Sequence, residues 1–333
     1  MVSCAPNKIP PGPNDATIVT NKPGQFEAAM NDDGLPKISV LVVTYNHEKF
    51  IRQALDSVMM QKTDFEFEVI VADDYSQDRT PEIARAYVAA NSIVRVLQTD
   101  EHLGITRNYQ RGFAACSGQY VAILEGDDYW ISPNKLETLA AYLDHNEECV
   151  CCFHRVFTHD AVTDLIYVPA PFEPRNQTRV FTAREVARQN PVSCFSTCMY
   201  RRNVIANLNP AFWKLKLREW PFNIVMAQHG LIGYLPEIMS VYRAQPGGIW
   251  SQKSPEEQFK QLLEIIDLYN EFLNFKYDAE FQAIKRKYRP QAELPLIQTG
   301  AQGFRRWVQP FVPPVLVSLL RIIYYRIRPA AKN

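Results

Sequence analysis

The chain has 333 residues, 47% hydrophobic and 12% aromatic, enough for a packed core and more than one layer of structure. Lysine plus arginine (36) equals aspartate plus glutamate (36), so no basic excess points to nucleic acid as a partner. Of the seven cysteines (Cys4, Cys116, Cys149, Cys151, Cys152, Cys194 and Cys198) only Cys149 and Cys152 stand at CxxC spacing, with Cys151 crowded between them, and the odd set suits neither a disulfide framework nor a zinc knuckle and fits a reducing cytoplasm.

Residues 1–35, rich in Pro, Asn, Asp and Gly, read as a disordered or draped leader without the basic and apolar regions of a signal peptide. Ile38–Tyr45 (ISVLVVTY) is a nearly continuous apolar run, the pattern of a strand buried on both faces. Glu48–Met60 has helical spacing at Phe50, Ile51, Leu55, Val58 and Met59. A second strand, Glu68–Ala72, ends in Asp73-Asp74-Tyr75-Ser76, and a helix opened by Pro81 runs to Ala90. A third strand at Ile93–Gln98 leads to a helix near Thr106–Ala115. The fourth, Gln119–Glu125, runs into Gly126-Asp127-Asp128-Tyr129-Trp130, and Pro133 opens a helix to about His145. Strand–helix alternation with short connections predicts an α/β fold, a mostly parallel sheet covered by helices on both faces. Ligands of such sheets bind beyond the carboxyl ends of the strands. Three polar clusters fall there: Thr44-Tyr45-Asn46, Asp73-Asp74 and Glu125-Gly126-Asp127-Asp128.

From Cys149 the pattern changes. Strands are expected at Val150–Phe157, Leu165–Val168, Ser196–Tyr200, Leu231–Leu235 and Ile238–Arg243. Helices are expected at Thr182–Arg188, at Glu219–His229 with Gly230 ending it, and at Pro255–Phe272. The Gly-rich Gln245–Ser251 reads either as a mobile lid or as a tight turn with a packing Trp. No apolar stretch approaches the roughly 20 residues of a membrane-spanning helix. Phe304–Arg328 mixes apolar residues with five arginines; it reads equally as a segment on an anionic membrane surface or as a docked helix.

A diphosphate leaving group carries negative charge that a hard divalent cation neutralises, held by one or two carboxylates and by phosphate oxygens. Asp127 and Asp128, with Glu125 just before them, offer such oxygens, and which of them touches a metal stays open. Asp73 and Asp74 offer acceptors for a base or ribose, or else cap the next helix. Glu219 is a candidate base for an acceptor hydroxyl, or else a helix-start acid favoured by the macrodipole. His102, His154 and His229 are further candidate bases.

These residues resemble glycosyltransferase family 2, the inverting enzymes of the GT-A (Rossmann-like) fold. The resemblance runs in order from about Ile38 to Ser251: VTYNHEKFIRQALDSVMMQ, VADDYSQDRT, HLGITRNYQRGFAACSGQYVAILEGDDYW, then REWPF and HGLIGYLPEIMSVYRAQPGGIWS. It implies donor contacts at Thr44, Tyr45, Asn46, Asp73, Asp74, Arg107 and Asp127, with uridine or thymidine as the base. It also implies Mg²⁺ or Mn²⁺ at Asp127 and Asp128, and Glu219 as the catalytic base. It divides the chain into a nucleotide-sugar half (36–148), an acceptor half (149–252) and a helical C-terminal extension (253–333). The partners it implies are a nucleotide-sugar donor and a glycan or lipid-linked acceptor, in surface polysaccharide assembly at the inner face of the membrane. Tyr75 stands where Gly is common, Glu125 and Glu219 where Asp is more usual, and Arg218 where Gly often stands. Those acids leave open a silent nucleotide-sugar-binding subunit. A sugar nucleotidyltransferase is disfavoured because YNHEKF replaces its Gly-rich loop, and a nicotinamide dehydrogenase because GxGxxG is missing.

Overall fold

Every residue of Ile38–Thr44 is buried, as a continuous apolar run demands, and this strand is the centre from which the sheet is built. A computed structural model describes residues 34–168, 177–192, 194–245, 248 and 253–288. The leader to residue 33, most of the Gly-rich 245–251 segment and the whole of 304–328 lie outside the described residues.

The first half runs β1 (Ile38–Thr44), α1 (Ile51–Met59), β2 (Phe67–Asp73), α2 (Thr80–Ala90), β3 (Val94–Leu97), α3 (Ile105–Ala115), β4 (Tyr120–Glu125), β5 (Tyr129–Trp130) and α4 (Lys135–His145). The second half begins β6 (Cys149–Asp160), β7 (Leu165–Tyr167), β8 (Arg179–Phe181), α5 (Ala183–Arg188), β9 (Cys198–Arg201) and α6 (Arg202–Ala206). It ends α7 (Glu219–Met226), β10 (Leu231–Ala244), α8 (Pro255–Phe272) and α9 (Asp278–Tyr288).

The sheet order is β3-β2-β1-β4-β9-β6-β10-β5, with β7 paired to β6 and β8 to β10. β1 is parallel to β2 and β4, and β2 to β3. β9 enters antiparallel between β4 and β6, and β10 returns parallel to β6. The result is the predicted α/β architecture, with the antiparallel strand marking the passage from the first half to the second. Because side chains alternate along a strand, β1 feeds two cores. Leu41 and Val43 join Ile70, Ile123, Tyr109 and Phe113 on one face. Val40 and Val42 join Val69, Leu124, Ile51 and Leu136 on the other. The chain leaves β1 towards β3, then returns to place β4 on its opposite side. That reversal opens a crevice at the ends of β1 and β4. Register puts Val43 opposite Glu125 and Thr44 opposite Asp73, so the three polar clusters share one edge.

Some boundaries differ from expectation. The segments Leu231–Leu235 and Ile238–Arg243 are one strand, β10, whose register slips between Leu235 and Ile238 and again before Ser240. Pro236 has no N–H to give a ladder and sits in that slip. Helix α7 stops at Met226, short of His229.

Helices α8 and α9 share the first core: Ile265, Ile266, Tyr269, Leu273, Tyr277, Phe281 and Ile284 are buried in it with α5 and α7. Phe281 meets the Trp220 ring edge-on at 5.8 Å, and Trp220 Nε1 donates to the Val186 carbonyl at 2.7 Å. Phe281→Ala should therefore lower unfolding free energy by about 3–5 kcal/mol in urea titration. A loss below about 1 kcal/mol would show that α9 is not integral to that core.

Candidate active site

The floor of the crevice is fixed by two loops that bind each other. The Asn46 N–H donates to Ser76 Oγ (2.8 Å), and Asn46 Oδ1 accepts from the Gln77 N–H (2.8 Å). The N–H groups of His47 and Glu48 donate to Thr80 Oγ1 and Asp78 Oδ2, while Glu48 Oε2 accepts from Arg79. Asn46 adopts φ 55°, a left-handed conformation that Asn tolerates. Tyr75 also has positive φ, 65°, which explains why Gly is common at its place in the resembling motif.

Asp73 and Asp74 are both buried and both already hold protein donors. Asp73 accepts from the Ser76 hydroxyl (2.6 Å) and N–H (3.1 Å). Asp74 accepts from the N–H groups of Leu103 (2.7 Å) and Gly104 (2.9 Å), tying the entry of α3 to the end of β2. Arg111 donates to the Asp73 carbonyl beneath them. Tyr45, 39% exposed, stacks on His102 with ring centroids 4.3 Å apart, giving the crevice a flat aromatic face. Arg107 is well exposed, with only a distant ion pair to Glu101 at 3.9 Å.

The turn after β4 gives its three carboxylates different surroundings. The Glu125 side chain receives the Tyr109 hydroxyl at 3.3 Å. Burial pushes its carboxyl well up, and the charges of Asp128, Asp127 and Glu219 push the same way. Asp128 is 1% exposed and both oxygens are taken: Oδ2 by the Ser196 hydroxyl (2.5 Å), Oδ1 by the Arg243 N–H (2.8 Å). Burial, then Asp127, holds the Asp128 carboxyl well above the usual range. Asp127 is partly open. Its Oδ2 accepts from Gln245 (2.7 Å) and lies 3.9 Å from His47 Nε2, while Oδ1 meets no donor among the described residues. The Arg243 guanidinium, lying over the rings of Phe50 and Tyr129, donates to the Asp127 carbonyl (2.8 Å) and to Gln53 (2.6 Å).

Gly126 lets this turn close on β1: a Cβ there would lie 2.7 Å from Thr44 Oγ1 and 2.9 Å from His47 Nδ1. Those two buried atoms have no hydrogen-bond partner, so two polar groups beside Asp127 stand unsatisfied. Among the described residues no group of three or more His, Cys, Asp or Glu is arranged to hold a metal. The open Asp127 carboxylate nevertheless fits a hard cation whose remaining ligands come from donor phosphates and water.

Glu219 begins α7 and is partly buried. Burial raises its carboxyl pKa against its own N–H, Arg218 and Asn190, which lower it. The helix is fastened to the sheet by Tyr200 donating to Asn223 Oδ1 (2.9 Å), whose amide donates to the Glu219 carbonyl (2.7 Å). The Glu219 charge bears on Glu125, so the start of α7 and the acidic turn lie within electrostatic reach of each other. The other candidate bases stand apart from this pair. His154 is 1% exposed, and burial and Lys135 hold it well below the ordinary range. His229 is an exposed residue beyond α7, and His102 belongs to the aromatic stack. Sequence reading passed over His47, Ser196 and Arg243. Only His47 carried a signal, one residue past the Thr44-Tyr45-Asn46 cluster.

A family model described as Glycosyl transferase family 2 matches residues 39–208. An uncharacterized protein of Mycobacterium tuberculosis (strain H37Rv) is 36% identical over 221 residues, 64% of this chain. The match spans 60% of that relative's own length. The crystal structure of S. aureus TarS 1–349 in complex with UDP-GlcNAc is similar at a TM-score of 0.58 and 20% identity, covering 82% of this chain and 79% of that one. The mannosyltransferase PcManGT from Pyrobaculum calidifontis, in complex with GDP-Man and Mn²⁺, is similar at 0.57 and 15% identity, covering 92% and 85%. At those identities the likeness to solved structures is one of fold.

Behind the acidic turn, Lys135 is fully enclosed, its Nζ donating to the Ser196 carbonyl (2.5 Å) and Ser240 Oγ (3.1 Å) and lying 4.1 Å from the Trp130 ring centroid. Burial pushes its ammonium down to about 7 from 10.5, although Cys194, Cys198, Cys152 and Asp128 pull it up. The native state thus releases this proton before the unfolded chain does. The resulting stability is complete above 10.5 and lost as pH falls through about 7. In urea titrations from pH 6.5 to 10, the stability difference between wild type and Lys135→Met should move in favour of wild type as pH rises. A difference constant with pH would show that the amine is not desolvated.

Proposed function

The chain belongs to glycosyl transferase family 2, and from that premise we propose that it moves a sugar from a nucleotide-diphosphate donor to a hydroxyl acceptor with inversion. The observation that carries this reading is the open Asp127 carboxylate at the β1–β4 crevice, in an acidic turn that lies within electrostatic reach of Glu219.

On the donor side, the Tyr45–His102 stack offers a flat surface to a nucleobase. Asp73 and Asp74 retain lone pairs for its N–H or ribose groups. Thr44, Asn46 and the exposed Arg107 complete that side, with uridine or thymidine favoured as the base. The diphosphate charge is met by Mg²⁺ or Mn²⁺, which would be held at Asp127. Such an ion, when bound, stabilises the departing diphosphate. Asp128, with both oxygens engaged, shapes the turn and supports Asp127 rather than turning outward. Similar structures, one in complex with UDP-GlcNAc and one with GDP-Man and Mn²⁺, are in keeping with this assignment.

Glu219 then takes the proton from the acceptor hydroxyl, and its raised pKa makes it a stronger base than a solvated glutamate. The acceptor oxygen attacks the anomeric carbon as the carbon–oxygen bond to the diphosphate breaks. Because attack and departure are on opposite faces, the configuration inverts. The acceptor is a glycan or lipid-linked saccharide in cell-envelope polysaccharide assembly, with the enzyme on the cytoplasmic side. Among the described residues no helix is long and apolar enough to cross a membrane.

Release of nucleoside diphosphate from UDP-, GDP- and dTDP-sugars, measured with Mn²⁺ and with EDTA, tests the reading. Wild type should release it from one donor in the presence of metal. Asp127→Ala should lose that metal-dependent release. Glu219→Gln should retain donor binding while transfer falls by about 10²–10⁴-fold. Undiminished transfer by Glu219→Gln would remove it as the base, and failure of every donor with a full acceptor panel would sink the transferase reading.

A further inference from the structure

His47 stands one residue beyond the Thr44-Tyr45-Asn46 cluster, and the glycine before Asp127 lets the acidic turn close against it. Its backbone is fixed. The N–H donates to Thr80 Oγ1 (2.8 Å), and the carbonyl accepts the N–H groups of Phe50 (2.9 Å) and Ile51 (2.8 Å) where α1 begins. The ring meets Phe50 edge-on, with centroids 6.4 Å apart. Asp127 is held in turn by Arg243 at its carbonyl and by Gln245 at Oδ2. The two side chains thus face each other from anchored backbones, and both stay partly open, at 19% and 20% exposure.

His47 Nε2 lies 3.9 Å from Asp127 Oδ2. That is too long for a hydrogen bond, so the two groups do not satisfy each other. It is within the span of two ligands on one ion, because metal–ligand bonds of about 2.1 Å reach at most about 4.2 Å across it. The other ring nitrogen adds a second observation. His47 Nδ1 is buried without a partner, and so is Oγ1 of Thr44, a residue only 2% exposed. Both atoms border the point where a Gly126 side chain would begin, at 2.9 and 2.7 Å from it. A proton on Nδ1 makes the two orphans complementary, donor to acceptor, after a small shift. Metal-bound histidines hold their second nitrogen in this way. That tautomer leaves a bare Nε2 beside a carboxylate, two acceptors that a cation between them reconciles.

We propose that His47 Nε2 is a second protein ligand of the divalent cation at Asp127, and that this nitrogen selects Mn²⁺ over Mg²⁺. The inference rests on Asp127 being the metal carboxylate. Mg²⁺ is a hard ion that demands near-ideal octahedra of oxygen, whereas imidazole suits transition metals. Two protein ligands leave the remaining positions to diphosphate oxygens and water, so the site is complete only with the donor in place.

Electron spin-echo envelope modulation on the full chain with Mn²⁺ and UDP tests the ligand directly. Wild type should show nitrogen modulation from a bound imidazole, and His47→Ala should lose it. Titration with Mn²⁺, followed by the signal of the free ion, should give at least about tenfold weaker binding in His47→Ala. The advantage of Mn²⁺ over competing Mg²⁺ should shrink in the same variant. The wild-type spectrum decides the matter even if the variant fails to fold. Bound Mn²⁺ without nitrogen modulation in wild type would overturn the proposal and leave Asp127 as the metal carboxylate. Modulation that persists in His47→Ala would overturn it as well, by assigning the nitrogen elsewhere. Wild type that binds no Mn²⁺ with UDP present would remove the ion from Asp127 and His47 together.

Discussion

The constraint on which the rest of the structure depends is the concentration of negative charge in the turn after β4. Glu125 and Asp128 are pressed into the fold beside Asp127, and burial alone disfavours each charge. The fold answers with hydrogen bonds from distant parts of the chain. Ser196 accepts from the Glu125 N–H and donates to Asp128, Arg243 contributes its N–H to Asp128 and its guanidinium to the Asp127 carbonyl, and Lys135 lies behind them under Ser196. The second half of the chain is thus what makes the acidic end of the first half tenable. Asp128 has both oxygens engaged, whereas Asp127 Oδ1 and Glu125 Oε2 meet no donor among the described residues, and the surrounding network fixes where the Asp127 carboxylate sits.

The same dependence runs through the helices. α7 presents Glu219 at its first residue, and its position follows from what grips it. Tyr200 and Asn223 hold it to the sheet, and Trp220 lies between the Val186 carbonyl and Phe281. Arg184 on α5 pairs with Glu280 on α9 at 2.5 Å, closing the bracket from outside. Residues beyond 252 therefore support the geometry of the cleft as well as adding to the core.

The first half was legible because buried parallel strands appear as apolar runs and their ends as polar clusters. The sheet then brought those clusters to one edge, as the reading of Thr44, Asp73 and Glu125 required. The second half was less so. β5 has two residues and β8 three, too short for periodicity, and Pro236 made one strand look like two. The helical spacing of Tyr277, Phe281 and Ile284 lay among charges and went unread. What no local pattern encodes is occupancy. Nothing in the letters Asp73-Asp74 or Asp127-Asp128 says which carboxylates already serve Ser76, Gly104 or Ser196. Nor does Arg243 announce itself, since its role comes from contacts with residues 115 and 190 positions away.

On the proposed reading, the reciprocal bonding of loops 46–48 and 76–80 bears on how a donor nucleotide would be met. Each loop supplies the donors that the other lacks, so the floor is complete before any ligand arrives. A nucleotide docking there would order little backbone, and most of its contact energy would appear as affinity rather than being spent on freezing the site. Recognition on this side would then be a matter of shape selection from the first encounter. Small changes in the ligand would register chiefly in how fast it departs.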